Sequence, residues 1–221
     1  MKVIAFVASK GGASKTTLVH SLATYAAGPG NRGILLADLD PQKSLRELWG
    51  RRGELVNPRL VSNFGKVAES VALLKSAGYD KEFLLVDTPG ALIPVMRDAV
   101  GAADLVVMPT RPNTIDLKAQ EDVIELVRSE GKLGQSLFVL TQTEKGDILD
   151  NAQTSLAALG RPVLIMPKRV EYSRAQKTGE AGWENLAAAK SDMKKIWEAI
   201  VNMCERSHEK TKDADHASRL H

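Results

Sequence analysis

The residues most able to do chemistry lie in a short glycine-rich loop near the start of the chain, Ser9 to Thr17, which reads SKGGASKTT. The loop follows an apolar run typical of a buried strand and precedes a stretch in which apolar residues recur at helical spacing. Glycines between a strand and a helix N-terminus let successive backbone N–H groups point at an anion, and the positive helix end adds to the attraction. We therefore expect the glycine-rich loop to bind phosphate.

Two side chains at the end of the loop extend this prediction to a nucleotide and a metal ion. Lys15 would lie along the β- and γ-phosphates, and the Thr16 hydroxyl would bind Mg²⁺. The alternative is a tight strand-to-helix turn with an exposed lysine, which the Lys-Thr-Thr junction disfavours. The candidate nucleotide-binding residues of the loop are Lys10, Gly11, Gly12, Ala13, Ser14, Lys15, Thr16 and Thr17.

Apolar runs alternate with amphipathic stretches along the chain, which predicts an α/β fold. We predict strands at Lys2 to Ala8, Gly33 to Ala37, Phe83 to Val86, Leu105 to Met108, Leu137 to Leu140 and Val163 to Met166. Apolar residues recur every three to four positions in five further stretches, which we predict to be helices: Lys15 to Ala27, Lys43 to Gly50, Val67 to Ala77, Leu117 to Glu130 and Ala152 to Leu159. The expected architecture is a doubly wound, mostly parallel sheet with helices on both faces.

The last third predicts one long helix, Trp183 to Cys204, with an apolar stripe that runs from Met193 to Cys204. We expect this stripe to pack on the sheet rather than on a membrane, because the opposite face mixes acidic and basic residues. We see no linker within the chain and predict a single domain over residues 1–204. Residues 205–221 are predicted to form a polar, disordered tail.

Composition excludes several classes of protein. The 221 residues are 43% hydrophobic and 26% charged, typical of a globular protein, and no run approaches the length of a membrane span. The single cysteine, Cys204, excludes a disulfide framework and a cysteine-ligated metal cluster within one chain, which suits a reducing cytoplasm. The net charge of +3 permits a polyanionic partner without requiring one.

The glycine-rich loop departs from the standard G-x-x-x-x-G-K-[ST] pattern but resembles the deviant form K-G-G-x-x-K-[ST]-[ST] of the ParA/MinD family of P-loop ATPases (SIMIBI type). Further motifs follow in the family's order. The switch segment, Asp38 to Ser44, resembles D-x-D-P-Q-x-S, and FLLVDTPG from Phe83 resembles the Walker B strand. Pro109, Pro112 and Asp116 match P-x-x-P-x-x-x-D, and residues 167–175 resemble the loop that flanks the base.

The resemblance implies roles for individual residues. Lys10 would reach the phosphates of a partner subunit, so that two ATP molecules are sandwiched in a homodimer. Asp38 and Asp87 would hold Mg²⁺-bound waters, and Asp40 would position the attacking water. Helix capping before Pro41 is the alternative role for both Asp38 and Asp40. The residues that the resemblance places near the base are Pro109, Pro112, Pro167 and Arg169.

Ser14 is the main departure, because the family usually has glycine before the lysine at position 15. Either the backbone tolerates serine there, with its hydroxyl available to bond a phosphate oxygen, or nucleotide affinity is reduced. We expect tolerance, since the other elements of the motif are intact.

Of the functions in this family, the residues best fit a short, ParF-like ParA ATPase without an N-terminal helix-turn-helix. We expect such a protein to be cytoplasmic and associated with the nucleoid. Such a protein would hydrolyse ATP slowly, bind DNA without sequence preference as an ATP-bound dimer, and be stimulated by a ParB-like or adaptor protein. Candidate DNA contacts are Lys168, Arg169, Arg174, Lys177, Lys190, Lys194 and Lys195. A VirC1-type accessory ATPase of a conjugative relaxosome, recruited by protein contacts, is the alternative, and a metabolic ligase is a more distant one.

Overall fold

A computed structural model describes residues 1–53, 57–61, 64–79, 81–91 and 94–218 of the chain. Across these ranges seven strands form one parallel sheet in the order β3-β2-β4-β1-β5-β6-β7. The strands are β1 (Lys2–Phe6), β2 (Ile34–Asp38), β3 (Arg59–Val61), β4 (Phe83–Asp87), β5 (Leu105–Thr110), β6 (Ser136–Thr143) and β7 (Val163–Pro167). The predicted doubly wound α/β fold is confirmed.

Eight α-helices connect and cover the strands in the described part of the chain. They are α1 (Lys15–Ala27), α2 (Ser44–Arg52), α3 (Val67–Ser76), α4 (Pro94–Ala102), α5 (Thr114–Ser129), α6 (Asp147–Ala157), α7 (Val170–Thr178) and α8 (Ala187–Ser218). A short 3-10 turn, Gly182–Glu184, precedes α8.

The central strands are buried on both faces, which explains why they read as continuous apolar runs. Alternate residues of β1 point to opposite faces, so that Ile4 joins a core with α1, α2 and α8, whereas Val3 joins a second core with α3 to α6. Both cores exclude water from the middle of the sheet. The polar residues that follow the strands are therefore confined to its edges.

The apolar stripe of α8 packs against the protein core, as the sequence predicts. Met193, Ile196 and Ile200 are fully buried or nearly so, and the Trp197 ring meets the Phe83 ring of β4 edge-on with 5.0 Å between centroids. No helix in the described ranges is both long enough and apolar enough to cross a membrane.

The backbone of α8 continues beyond Cys204 to Ser218, where the sequence analysis expects a disordered tail. Residues 205–218 include no glycine or proline, so nothing in the covalent structure interrupts the helix that the packed stripe begins. Residues 219–221 of the expected tail lie outside the described residues. The boundary of the packed domain at residue 204 stays a prediction.

The carboxyl ends of the parallel strands bring the candidate site residues to one edge of the sheet. The glycine-rich loop leaves β1, which lies between β4 and β5. Asp38 ends β2 and Asp87 ends β4, and the two are directly paired in register. In sheets of this kind, ligands bind where the connections diverge from a central strand, which here is β1.

Candidate functional site: a phosphate-binding pocket

A pocket of about 690 Å³ lies over the N-terminus of α1. The glycine-rich loop forms one wall, the switch segment and α2 form another, and the turn after β4 closes a third side. Its lining consists of residues 10–17 together with Asp40, Pro41, Gln42, Ser44, Glu47, Leu48, Arg51, Pro89, Gly90, Ala91 and Gln142. The structure thus brings all the loop residues predicted to bind nucleotide to one cavity.

Asp87 is the electrostatic centre of the site. Lys15 Nζ lies 2.5 Å from Asp87 Oδ1, and the Thr16 hydroxyl donates to Asp87 Oδ2 at 2.7 Å. The carboxylate is fully buried and Lys15 is only 7% exposed. Burial raises the pKa of the Asp87 carboxyl, and the charge of Lys15 and the hydrogen bonds from Lys15 and Thr16 oppose that rise. A phosphate bound by Lys15 would compete with Asp87 for the same ammonium group.

Asp38 supports the switch segment from its buried position beside Asp87. One carboxylate oxygen accepts the backbone N–H of Asp40 at 3.1 Å, and the other accepts that of Arg46 at 2.9 Å. Arg46 lies in the first turn of α2, where backbone N–H groups have no partner within the helix. Asp38 supplies the acceptor for one of them, although it lies outside the helix. Asp38 thus bonds an N-terminal N–H of α2 without occupying the N-cap position, which belongs to Lys43, and its role toward Mg²⁺ stays a prediction.

Asp40 faces the pocket from the turn before α2. Its Oδ1 accepts the backbone N–H of Gln42 at 2.9 Å, an Asx turn that fixes the start of the segment. Lys43 Nζ donates to the Asp38 carbonyl at 3.0 Å, which closes the segment on itself. The carboxylate of Asp40 is thereby held at the pocket wall, as a residue that positions water would need to be.

The backbone of Ser14 is left-handed, with φ of 57°, which accounts for the glycine usual at this position. The hydroxyl accepts a hydrogen bond from Gln142 Nε2 at 2.7 Å, and its bond to a phosphate oxygen stays a prediction. Gln142, which follows the apolar part of β6, is not among the predicted site residues. The available signal was a run of polar residues, Thr141 to Thr143, at the same edge of the sheet as the loop.

Lys10 is exposed at the mouth of the pocket, and Arg111 lies beside the loop. Arg111 Nε donates to Asp116 Oδ2, and Asn113 Nδ2 donates to the same oxygen at 2.8 Å. Burial opposes ionisation of Asp116, but these hydrogen bonds and the positive charges of Arg111 and Lys10 outweigh it and lower the pKa of the carboxyl. Asp116 therefore fixes a second cation next to the glycine-rich loop.

Comparison with known proteins identifies the family. The sequence model of the CobQ/CobB/MinD/ParA nucleotide-binding domain matches residues 4–182, most of the chain. The chain belongs to this family. The resemblance found in the sequence motifs is thus confirmed.

Individual members extend the match. The chain is 31% identical to the maintenance of carboxysome distribution protein A of Halothiobacillus neapolitanus over 82% of its own length and 87% of that protein. It is 32% identical to the ParA protein of Rhizobium radiobacter over 59% of its own length, and spans only 58% of that protein. A solved complex of a McdA variant from Cyanothece with ATP superposes with a TM-score of 0.71 at 18% identity, covering 90% and 96% of the two chains. This last likeness supports the fold alone.

The donor atoms of this CobQ/CobB/MinD/ParA domain fit Mg²⁺. Asp38 and Asp87 supply two carboxylates at adjacent strand ends, and Thr16 of α1 supplies a hydroxyl beside Asp87; Mg²⁺ prefers such oxygen ligands, water and phosphate. Among the described residues, no group of three or more His, Cys, Asp or Glu side chains could hold a metal ion. With one hydroxyl and two carboxylates from the protein, the site suits an ion that takes the rest of its ligands from nucleotide phosphates and water.

The residues expected near the nucleotide base lie outside the described pocket lining. Pro109 is in β5, Pro167 ends β7, and Pro112 lines a separate groove between α5 and α6. Arg169 Nε donates to Asp192 of α8 at 2.8 Å. Their role toward the base stays a prediction.

Proposed function

We propose that this member of the CobQ/CobB/MinD/ParA family is an ATP-driven switch that partitions or positions a plasmid, a chromosome region or a protein assembly. The supporting observation is the arrangement of Lys15, Thr16 and Asp87 at the N-terminus of α1, in a pocket whose mouth carries Lys10. The relatives named for ParA and for carboxysome distribution support the positioning role.

Within the proposed reaction, each residue has a distinct task. Lys15 and the backbone N–H groups of residues 11–17 bind the β- and γ-phosphates, and Thr16, Asp38 and Asp87 hold Mg²⁺ and its waters. Bound Mg²⁺ would neutralise the charge that develops on the phosphates. Asp40 orients the water that attacks the γ-phosphate. Hydrolysis is slow until a ParB-like or adaptor protein completes this arrangement.

Lys10 makes the switch depend on two subunits. Its side chain is exposed at the pocket lining, where a second copy of the chain can approach. In the ATP-bound homodimer, Lys10 of each subunit contacts the phosphates bound by the other. Loss of the γ-phosphate removes contacts that only the dimer makes, so hydrolysis releases the assembled state.

The decisive experiment measures mass by light scattering in the presence of Mg²⁺ and a non-hydrolysable ATP analogue. We expect a dimer for the wild type and a monomer for Lys10→Ala, with nucleotide affinity of the variant within about fivefold of the wild type. Lys75→Ala, an exposed lysine on α3, is the matched control and should dimerise normally. A Lys10→Ala dimer as stable as the wild type would refute the proposal that Lys10 acts across the interface.

The same samples test DNA binding. Arg174, Lys177, Lys190 and Lys195 are exposed near one another in sequence, whereas Lys168, Arg169 and Lys194 pair with Glu144, Asp192 and Glu198. We expect random-sequence duplex DNA to shift only with the ATP-bound dimer, and the affinity to fall steeply with salt. A dimer that leaves DNA unshifted would contradict the DNA-bound switch and favour the relaxosome accessory role.

A further inference from the structure

Two non-glycine residues with left-handed backbone meet beside the glycine-rich loop. Among the described residues, positive φ occurs at four non-glycine positions, and two of them are Ser14, at 57°, and Gln142, at 52°. The Gln142 side chain reaches the loop, where Nε2 donates to the Ser14 hydroxyl at 2.7 Å and to the Gly12 carbonyl at 3.1 Å. Thr141, the preceding residue, donates its hydroxyl to the Ala13 carbonyl at 3.1 Å.

The conformation of β6 explains how two consecutive side chains reach the same loop. In a regular strand, neighbouring side chains point to opposite faces of the sheet. Here the pairing of β6 with β7 shifts register between Thr141 and Thr143, and Gln142 occupies the extra, left-handed position. The bulge therefore turns Gln142 toward the side on which Thr141 already contacts the loop.

These contacts determine which way the loop peptides face. A trans peptide is planar, and its carbonyl and N–H point in opposite directions. The Gly12 and Ala13 carbonyls are bonded to Gln142 and Thr141, so the N–H groups of Ala13 and Ser14 point away from β6. Ala13 and Ser14 line the pocket, and two successive N–H groups held in one direction form part of an anion nest.

We propose that Gln142 is a positioning residue of the glycine-rich loop, which holds Ser14 and the Gly12 peptide in the orientation that binds phosphate. Glycine at position 14 would adopt the left-handed backbone without strain. With serine there, the hydrogen bond between the Gln142 amide and the Ser14 hydroxyl stabilises that conformation instead. This inference rests on the proposed binding of ATP for its effect on affinity, but its effect on the loop is independent of any ligand.

A double-mutant cycle measures the coupling of the two residues. Gln142→Ala should weaken binding of a fluorescent ATP analogue about tenfold, whereas in a Ser14→Gly background the same substitution should weaken it about threefold or less. Glycine at position 14 adopts the left-handed conformation without support, so the amide of Gln142 matters less. Gln135→Ala, an exposed glutamine beside the other end of β6, is the matched control and should leave affinity unchanged.

Hydrogen exchange of the nucleotide-free protein separates this inference from the proposed function. Gln142→Ala should speed exchange of the loop amides at residues 12–14 several-fold while the core of β6 and the melting temperature stay unchanged. Equal losses of affinity in both backgrounds, or unchanged loop exchange, would overturn the positioning role. If the wild type bound no ATP, the proposed function would fail, and the exchange measurement would still decide the inference about Gln142.

Discussion

Asp87 combines full burial with a formal charge, and its partner Lys15 is almost as buried. A buried ion pair adds little net stability when both partners are present, but removing one partner leaves the other charged in a medium that solvates it poorly. The pair therefore constrains substitution at either position before any nucleotide binds. It also keeps Lys15 extended toward the strand end, where the phosphates would lie.

This constraint predicts that Asp87→Asn lowers the free energy of unfolding by about 3 kcal/mol, measured by urea denaturation without nucleotide. The amide keeps the shape and the bond from Thr16 but leaves the ammonium of Lys15 without a counter-charge. Glu144→Gln is the control, because its ion pair with Lys168 is 2.8 Å long but exposed on both sides. Similar destabilisation by the two variants would contradict the prediction.

The regular elements were largely predictable, since their patterns are local. The predicted bounds of α1 match the structure, and the predicted β4 lacks only Asp87. Three short elements are absent from the predicted set: the three-residue strand β3 and the nine-residue helices α4 and α7. Such short elements hold their conformation through neighbours, and periodicity over so few residues carries little signal.

The residues of the candidate site likewise fall into those that a local sequence pattern predicts and those that only the packed structure brings together. The glycine-rich loop, Asp38 and Asp87 were predictable because each directly follows or ends a strand, and parallel strands bring their carboxyl ends together. The polar run Thr141 to Thr143 marks this end of β6, but the contact of Gln142 with the loop was not predictable, because it depends on a bulge in β6. Arg111 is held beside the loop by Asp116, a contact that only the packed structure supplies.

The end of α2 packs directly on the end of α7, with Gly179 at the contact. A Cβ on Gly179 would lie 2.4 Å from the Arg52 backbone nitrogen, and the residue has φ of +79°. Arg52 also donates two hydrogen bonds, at 2.6 and 2.7 Å, to the carboxylate of Glu184 in the 3-10 turn that precedes α8. The two helices therefore approach as closely as their backbones allow.

Gly179→Ala should thus lower the free energy of unfolding by about 3 kcal/mol, since the left-handed backbone and the forced separation of α2 and α7 both contribute. Gly78→Ala isolates the first contribution, because Gly78 has φ of +76° and open space around its Cβ position. We expect a loss of about 1 kcal/mol there, by urea denaturation. Equal losses at the two glycines would show that the contact between the helices adds nothing.

At the scale of the whole molecule, α1 joins the phosphate-binding edge to the elements around α8. It begins in the glycine-rich loop, and its Thr24 hydroxyl accepts a hydrogen bond from Trp183 Nε1 at 2.9 Å. His20, one turn after the loop, is buried against the Trp49 ring of α2 with 5.6 Å between ring centroids. Because His20 is buried, a positive charge on its imidazole would lower the stability of the fold.

That sensitivity has a definite sign. Burial, followed by the positive charge of Arg52, lowers the pKa of His20 from 6.5 to about 4, although Glu184 and a hydrogen bond with the Gly179 backbone act in the opposite direction. The folded protein keeps the imidazole neutral in a range where the unfolded chain binds a proton. The stability contributed by His20 is therefore complete above pH 6.5 and is lost as the pH falls toward 4.

Urea denaturation should accordingly show that the wild type loses about 2 kcal/mol more than His20→Leu does between pH 7.5 and pH 5. Leucine fills a similar apolar volume against Trp49 but cannot titrate, so carboxylates elsewhere contribute equally to both proteins and cancel in the comparison. The absolute stability of the variant does not enter the test, because only the change with pH is compared. Parallel curves for the two proteins would mean that His20 takes up its proton in the folded state as readily as in the unfolded chain, and would contradict the prediction.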